Sequence, residues 1–535
     1  MNNDERLEYF DSRITEAASE RTEWENRWQD VNDYILPWKA GVTTEQTPGS
    51  KQTTKIYSSH PAYCANILTG GLAGNLITKA PWYGLRTRDP NGMKVKDNEV
   101  WLQDCSERMN LAQNSSNFER ASQLFLTDFH SYGTGHIYSK EDIQDILRFY
   151  VFPINQLYPI ENERGIVDTT FRVYKSSLRQ LIREFGKENV HQETIEAHKN
   201  TPDARVIQVV HATYPRESWD PRLDNKLNRP WGCLYYQKDK KHILLESGHF
   251  DNPWHWARWM PSDQGPWGRG PGIDAMPAIK TLNAKEKTNL RVGQKNADPP
   301  WWLNSRMKGA FRTTPGAANF GNPGDRPPQK LSASDNVPHL KDDIDQSKAE
   351  IDDAYFVKLF MMLQAGAPAK TAFETDQIIK QGRTILGPVL GGADTECFAP
   401  MIERQFNHMA RAGKLAPPPQ SMQGHTLDIE YISPLAKLLK MQELQTIRSG
   451  IDIALAFMQI DPASGKTVNC NKGIRKGFEM SGAPMEILNS EDEVAALNQA
   501  EAEAAQQAQM MNALQQGAGI AKDAAQAEAM SGQQA

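Results

Sequence analysis

The hydrophobic pattern begins with a long amphipathic helix. Between Glu5 and Ile35, large apolar side chains recur at i, i+4, i+7 and i+11, which is the spacing of one helix face. These side chains are Trp24, Trp28, Val31 and Ile35. The pattern predicts one helix that buries this stripe and ends before Pro37.

Two further helices are expected before residue 130. The stretch "SSHPAYCANILTGGLAGNLITKAPW" is apolar enough for a buried helix that Pro81 ends, and it is too short to span a bilayer. Another helix is predicted from Asn98 to Asp128. Between about Gly133 and Phe250 the pattern changes to short runs rich in Val, Ile, Tyr and Phe, such as "RVIQVVHATY". These runs predict a small antiparallel sheet with one inserted helix near Ser177 to Phe185.

The stretch "GPWGRGPGIDAMPAIK" leads from the sheet into a long helix. The alternating Gly268, Gly270 and Gly272 do not have the spacing of a dinucleotide-binding loop, and Pro271 lacks an N–H donor for a phosphate. We therefore interpret the stretch as a hinge, in which the glycines permit unusual φ and ψ angles and Pro271 stiffens the exit.

The helix after this hinge is expected to start near Asp274, so that Pro277 lies in its first turn, and to end at Ala297 before Asp298, Pro299 and Pro300. Its middle, "LNAKEKTNLRVGQKN", is polar nearly all round, as in a helix that bridges two bodies through water or lines a wet passage. Residues 301–340 are rich in Gly and Pro, and a second helix is predicted from Asp342 to Leu363.

The C-terminal third mixes helix signals with helix breakers. Thr371 and Glu374 form a capping box that predicts a helix start. That helix could run to Ala412, but Gly387-Pro388 and Gly391-Gly392 interrupt it, and a kink is expected near Leu386. A strand near Leu427 to Ile432 and helices near 434–457 and 472–480 follow, and from Glu491 onward about half of the residues are Ala or Gln.

Composition limits the function. A chain of 535 residues is expected to form more than one domain, and a net charge of −6 argues against a protein that grips nucleic acid over its whole surface. The five scattered cysteines support neither a disulfide framework nor a thiolate zinc site and are interpreted as buried apolar residues in a reducing compartment. No signal peptide or membrane span is recognised, so neither secretion nor membrane insertion is expected.

No catalytic motif, metal site or cofactor site is predicted. The twelve histidines have no ligand spacing, and the acidic pairs Asp342/Asp343 and Asp352/Asp353 are better explained as solvated helix faces. The segment "ASGKT" around Lys466 resembles the end of a P-loop, but Ile460 stands where the motif needs glycine. An ordinary turn is favoured there. A nucleotide hydrolase using Lys466, or a nuclease using the acidic pairs, is kept as the competing class.

Basic residues of the long polar helix form one stripe at i, i+7, i+11 and i+15, namely Lys280, Lys287, Arg291 and Lys295. Two interpretations are open. The stripe could pair with the acidic start of the second helix (Asp342, Asp343, Asp345 and Glu350), or it could face a nucleic-acid backbone. Lys370, between a Gly/Ala/Pro loop and the capped helix, is a candidate for the same role or an ordinary solvated lysine.

The order of these segments resembles the portal, or head-to-tail connector, proteins of short-tailed bacteriophages. The resemblance depends on "RTEWENRWQDVNDYILPW", "IYSSHPAYCANILTGGLAGNL", "WGRGPGIDAMPAIKTLN" through "ADPPWW", "KTAFETDQIIKQGRTILGPVLGG", "PMIERQFNHMARAGKLAPPP", and "IEYISPLAK" through "IRKGFEMSGAPMEIL". It covers nearly the whole chain. It implies an α+β, predominantly helical subunit of a ring, with a wing, two stem helices, a clip and a C-terminal crown.

Carried onto this chain, the resemblance implies a division into seven segments. These are the N-terminal wing (1–271), the first stem helix (272–298), the clip (299–341), the second stem helix (342–364), the tunnel loop (365–370), the kinked tunnel helix with the C-terminal wing (371–489) and the crown (490–535).

The resemblance further implies a non-enzymatic ring of usually twelve subunits at one capsid vertex, through which double-stranded DNA is packaged and ejected. The implied partners are the packaging terminase, tail adaptor proteins, and capsid and scaffold proteins, and the implied locations are the virion and, during assembly, the host cytoplasm. A ring-forming tail adaptor is the structural alternative, disfavoured because adaptors are much smaller.

Overall fold

The computed structural model describes residues 3–422 with gaps, residues 427–431, and short helical stretches at 450–453, 472–474 and between 493 and 507. The longer gaps are 89–95, 304–310, 321–325, 332–336 and 364–384, and the others span one to four residues. The fold is α+β and more helical than sheet, with 54% of the described residues in helices and 20% in strands. The chain forms two compact units, Met1–Ala80 with Met109–Lys414, and Pro81–Arg108 with Leu415–Ala535.

The first unit contains a five-stranded antiparallel meander between two layers of helix. Its strands, in spatial order, are β4 (Leu157–Glu161), β5 (Val167–Ser176), β6 (Ile207–Pro215), β7 (Trp231–Gln237) and β8 (His242–His249). Side chains alternate between its faces: Val209 packs with α5 (Leu178–Phe185), and Val210 packs with the N-terminal half of α1 (Asn3–Tyr34). The predicted antiparallel strands and the helix near Ser177 to Phe185 are confirmed, but the strands form two sheets instead of one, and a second short helix, α6 (Gln192–Ala197), is also inserted.

A second sheet adjoins the C-terminal half of α1. It has three antiparallel strands, in the order β3 (Ile146–Tyr150), β2 (Thr134–Asp142) and β9 (Trp254–Arg258). The predicted stripe of Trp24, Trp28, Val31 and Ile35 is buried, and the ring of Trp28 lies 4.6 Å from that of Trp267, which lies 6.3 Å from the ring of Trp256 in β9. The predicted helix from Glu5 to Ile35 is confirmed to within two residues at its start and one at its end.

The expected helix from Asn98 to Asp128 is wrong as a single element. The structure has α3 (Lys96–Ser115) and α4 (Phe118–Ser131). Asn117 between them donates to the Phe149 carbonyl (2.7 Å) and accepts from the Phe149 N–H (2.9 Å). Its amide therefore pairs with a strand backbone rather than with the helix.

The expected helix from Asp342 to Leu363 is also interrupted. It consists of α9 (Val337–Ala354) and α10 (Val357–Leu363), and Phe356 between them has φ of 55°. A left-handed backbone is rare for an aromatic residue. The break allows buried Tyr355 and Phe360 to pack against α4 and α2 (His60–Leu76), since Tyr355 contacts the His130 ring and Phe360 covers Gly71.

The remaining elements of the first unit are short, apart from α8 (Met276–Ala297) and α12 (Ala399–Arg411). They are α6 (Gln192–Ala197), β10 (Met260–Pro261), β11 (Gly268–Arg269), α7 (Pro271–Asp274), β12 (Trp301–Trp302), β13 (Gln329–Lys330), α11 (385–393) and a π-helical turn at Asp394–Phe398.

Gly391-Gly392 and Pro388 lie inside α11, so the expected interruption at Gly391-Gly392 is wrong, and the irregularity follows at the π-turn. The residue four positions before Pro388 lies outside the described residues, and the kink near Leu386 stays a prediction.

The second unit has a two-stranded antiparallel ribbon, in which β1 (Tyr83–Thr87) pairs with β14 (Leu427–Tyr431). The predicted strand near residue 427 is thus confirmed. Trp101 of α3 donates to the Ala416 carbonyl at 2.9 Å, and the Leu85 N–H donates to Ser106 Oγ at 2.9 Å. The expected helices near 434–457 and 472–480 lie almost wholly outside the described residues.

Two expectations about composition are tested directly. Four cysteines, Cys64, Cys105, Cys233 and Cys397, are free and buried, as expected, and Cys470 lies outside the described residues. Within the part of the chain that the structure describes, no helix is both long enough and apolar enough to cross a membrane.

Candidate functional site

The N-terminal end of α8 is fixed by backbone packed against backbone. A Cβ atom added to Gly270 would lie 2.5 Å from the His130 carbonyl oxygen, and one added to Gly272 would lie 2.3 Å from the Ser131 oxygen. At Gly268 the same atom would lie 2.4 Å from the Gly133 oxygen. The turn between α4 and β2 therefore lies directly against the stretch that leads into α8.

This packing corrects the reason given for the three glycines. None of them has a positive φ, and Gly270 is extended with φ of −133° and ψ of 173°. The residue that does need a left-handed backbone is Gly133, across the contact, with φ of 78°. Close approach, rather than unusual angles, requires glycine at Gly268, Gly270 and Gly272, and their role as a hinge stays a prediction.

Helix α8 begins at Met276, two residues later than predicted, with Pro277 in its first turn as expected. Asp298 caps its C-terminus by donating its N–H to Gln294 O at 2.9 Å. Beyond the cap, the Pro300 carbonyl accepts the Leu331 N–H at 2.8 Å, next to the short pairing of β12 with β13. Pro299 and Pro300 therefore stand where the helix ends and the paired segment begins.

The first half of α8 is attached to the N-terminal part of the chain. Met276, Ile279 and Leu282 are buried. Lys280 forms an ion pair with Asp30 of α1 at 2.7 Å. Asn283 accepts from the Tyr57 N–H at 2.7 Å and donates to the Lys55 carbonyl at 2.9 Å. The charge of Lys280 is therefore paired with a carboxylate of α1, and the ion pair joins α8 to α1.

The middle of α8 contacts α9. Lys285 donates to the Asp343 carbonyl at 3.0 Å and to Ser347 Oγ at 3.1 Å, and Lys348 pairs with Glu286 at 3.3 Å. Lys285 is outside the predicted stripe. Among the described residues no ion pair joins the stripe to Asp342, Asp343, Asp345 or Glu350, so the single chain gives no support to the interpretation that these acids neutralise the stripe.

The stripe thus separates into two parts. Lys280 is paired, and the Lys287 ammonium lies 5.3 Å from the centre of the Tyr57 ring, a cation–π contact. Arg291 and Lys295 are exposed, and the structure gives neither an ion pair nor a hydrogen bond with another described residue. The four positions therefore form no continuous free stripe, and only the two in the last turns of α8 are available to a partner.

Other predicted site residues lie outside this region. Lys370, Thr371, Glu374 and Lys466 fall outside the described residues. Gly387 and Pro388 lie near the start of the described part of α11.

A basic cleft of about 560 Å³ lies beside the five-stranded sheet, and the sequence pattern did not predict it. The Arg172 guanidinium lies between the rings of Phe152 (3.6 Å) and Tyr174 (4.1 Å), and burial lowers the pKa of Arg172. Around it are Lys140, Lys175, Arg183 and Arg205, and among the described lining residues Glu184 alone is acidic. These side chains come from two sheets, a helix and a loop, so no linear spacing in the sequence reveals them.

The chain is similar to known phage proteins over almost its whole length. A family model described as "Bacteriophage head to tail connecting protein" matches residues 8–488. The "Portal protein" of Salmonella phage epsilon15 is 29% identical over 511 residues, which cover 93% of this chain and 91% of that protein. The "Probable portal protein" of Bordetella phage BPP-1 is 25% identical over 522 residues, covering 95% and 94%.

Proposed function

This chain belongs to the bacteriophage head-to-tail connecting protein family, and from that membership we propose that it forms a ring, of twelve subunits, at one capsid vertex and serves as the portal for the genome. In this proposal α8 and α9 are the stem helices, residues 299–341 the clip and residues 365–370 the tunnel loop. Double-stranded DNA passes through the ring during packaging and ejection. The packaging terminase and tail adaptors dock on the clip side, and capsid and scaffold proteins contact the wing.

The observation that carries the channel role is the free pair of cations on α8. Arg291 and Lys295 are four residues apart, about one helical turn, on the exposed half of a helix whose other half is anchored. Cations that no carboxylate neutralises remain available to backbone phosphates. Repeated around a ring, two such positions per subunit would form sparse basic bands within an acidic whole, which attract DNA without holding it tightly.

The channel role is tested with the double variant Arg291→Ala/Lys295→Ala in infectious particles. We expect rings to assemble normally, while the length of DNA packaged or the fraction retained after packaging falls. The matched control is Lys187→Ala/Lys199→Ala, which removes two exposed cations next to the short helices α5 and α6. If the α8 variant packages and retains DNA like the control, the proposed channel role is wrong.

The tunnel loop is tested separately through Lys370→Ala. We propose that this loop acts as a valve, so the variant should alter DNA retention more than the rate of packaging. Unchanged packaging together with unchanged retention would exclude the valve. The tail-adaptor and Lys466-enzyme alternatives are not favoured, because the relatives aligned over almost the whole chain are named portal proteins.

A further inference from the structure

Three metal-ligand side chains meet where α2 contacts α9. His60 and Cys64 lie four residues apart, on one face of α2, and Asp352 belongs to α9. His60 Nε2 is 3.0 Å from Asp352 Oδ1, Cys64 Sγ is 3.3 Å from the same oxygen, and Cys64 Sγ is 3.5 Å from His60 Nε2. One nitrogen, one sulfur and one oxygen therefore form a small triangle.

The size of this triangle matches one face of a zinc tetrahedron. With Zn–S of about 2.3 Å, Zn–N of about 2.0–2.1 Å and Zn–O of about 2.0–2.2 Å, tetrahedral angles put the ligand atoms about 3.3–3.6 Å apart. The observed separations of 3.0, 3.3 and 3.5 Å differ from these values by only a few tenths of an ångström. Small side-chain adjustments would suffice for all three atoms to bind one ion.

The burial pattern leaves the fourth coordination position on the solvent side. Cys64 is fully buried, while the side chains of His60 and Asp352 are 19% and 27% exposed. The outer side of an ion bound to all three atoms would thus face solvent, from which a water could complete the coordination. Without metal, the Cys64 thiol donates to Asp352 Oδ1, the same oxygen that pairs with His60, so Zn²⁺ would have to displace the thiol proton to bind here.

From this geometry we propose that His60, Cys64 and Asp352 bind Zn²⁺, with water as the fourth ligand. Thiolate together with imidazole selects zinc over hard cations such as Mg²⁺ and Ca²⁺. The linear sequence conceals the site, because Cys64 and Asp352 are 288 residues apart and a His-x₃-Cys spacing alone is not diagnostic. Zinc binding at this site would contradict the expectation that the histidines have no ligand spacing.

Bound zinc would join α2 to α9 by coordinate bonds in place of the His60–Asp352 ion pair and the Cys64–Asp352 hydrogen bond. Further along α2, Gly71 lies so close to Phe360 of α10 that an added Cβ atom would be 2.2 Å from the ring. Zinc at residues 60 and 64 and the Phe360 ring at residue 71 would then fix α2 to the α9–α10 segment at two points. Binding to the folded chain alone also adds to its stability by mass action.

The test uses the full-length chain, stripped of metal with a chelator and then titrated with Zn²⁺ and, separately, with Co²⁺ as a spectroscopic probe. We expect one metal ion per chain and a cobalt–thiolate charge-transfer band. Cys64→Ser should abolish the band, and His60→Gln and Asp352→Asn should each weaken zinc binding at least ten-fold. The control variants are Asp353→Asn, next to the site but paired with Lys358, and Cys233→Ser, buried elsewhere.

The wild-type cobalt spectrum keeps the test decisive even if a variant fails to fold. Absence of a thiolate band in the wild-type chain, or persistence of the band in Cys64→Ser, would overturn the assignment. So would an equal loss of zinc affinity in Asp353→Asn and Asp352→Asn. The result is independent of the channel proposal, because α8 cations contribute nothing to metal binding.

Discussion

The close backbone contact before α8 gives a sharp test of how the first unit holds this helix. Replacing Gly272 with alanine places a methyl group 2.3 Å from the Ser131 oxygen and 2.8 Å from the Ser131 Cα. Ordinary contacts of a Cβ begin at 3.4 Å, so the backbones must separate by about 1 Å. Neither neighbouring atom belongs to a side chain that could rotate away.

The cost follows from that rigidity. Extra methyl groups in a packed interior typically cost about 1–3 kcal/mol, and we expect Gly272→Ala and Gly270→Ala to fall in the upper part of this range. Gly293→Ala is the matched control, since an added Cβ there meets nothing within 4 Å. Alanine in a helix interior is favoured over glycine by about 0.5–1 kcal/mol. The same substitution should therefore destabilise at residue 272 and stabilise at residue 293.

The assay is urea or thermal unfolding of the three variants beside the parent chain, at one protein concentration so that assembly does not shift the midpoints. We expect the midpoints of Gly270→Ala and Gly272→Ala to lie below that of the parent and the midpoint of Gly293→Ala at or above it. Coincident midpoints for Gly272→Ala and Gly293→Ala would refute the argument that the two backbones touch.

Two further predictions concern buried charge and pH. Arg404 is 1% exposed and donates to Ser139 Oγ (3.0 Å) and the Asp251 carbonyl (2.6 Å), so Arg404→Ala should lower the free energy of unfolding by about 3 kcal/mol. The control Arg179→Ala, at an exposed position, should lower it by less than about 0.5 kcal/mol. Similar urea midpoints for the two variants would contradict this. Burial lowers the pKa of four histidines to about 3, namely His130, His136, His249 and His255. Since an unfolded histidine has a pKa of about 6.5, their contribution to stability is fully present above pH 6.5 and is lost as the pH falls toward 3, by up to about 1.4 kcal/mol per pH unit for each one. Burial raises the pKa of the Asp128 carboxyl, which acts in the opposite direction but is one group against four histidines. The urea midpoint should therefore fall between pH 7.5 and 5.5. An unchanged midpoint would contradict the prediction.

The sequence predicted elements whose signal is local and periodic. The long N-terminal helix, the antiparallel runs and the polar helix after the glycines each repeat one pattern over many residues, and each is found. The two interrupted helices show the limit of this reasoning. Asn117 ends one helix because the backbone of Phe149 is there to bind, and the backbone of Phe356 turns because Tyr355 and Phe360 have burial sites on other helices. Periodicity cannot report such partners, because they are distant in the chain.

Chemistry was harder to predict than helices for the same reason. The spacing of the basic residues places them on one helix, but which of them are free depends on Asp30 and Tyr57, more than 200 residues away in the chain. The glycines were correctly singled out, but their conformational freedom was the wrong reason, because the atoms that exclude a side chain belong to residues 130–133. The triad of His60, Cys64 and Asp352 has no local signal at all.

Helix α8 packs against the first unit through its first turns and carries its exposed cations nearer its other end, so packing and charge can be changed separately. Its buried residues lie in the first two turns, at Met276, Ile279 and Leu282, whereas Arg291 and Lys295 are exposed and make no described contact. Changes at exposed positions usually alter stability by less than about 0.5 kcal/mol, so Arg291→Ala/Lys295→Ala should unfold like the parent. Gly272→Ala should do the opposite, weakening the anchor while leaving the cations in place. A DNA-packaging defect in the cation variant without a shift in unfolding midpoint would therefore be a defect of charge, because the helix that carries the charge remains as stable as before.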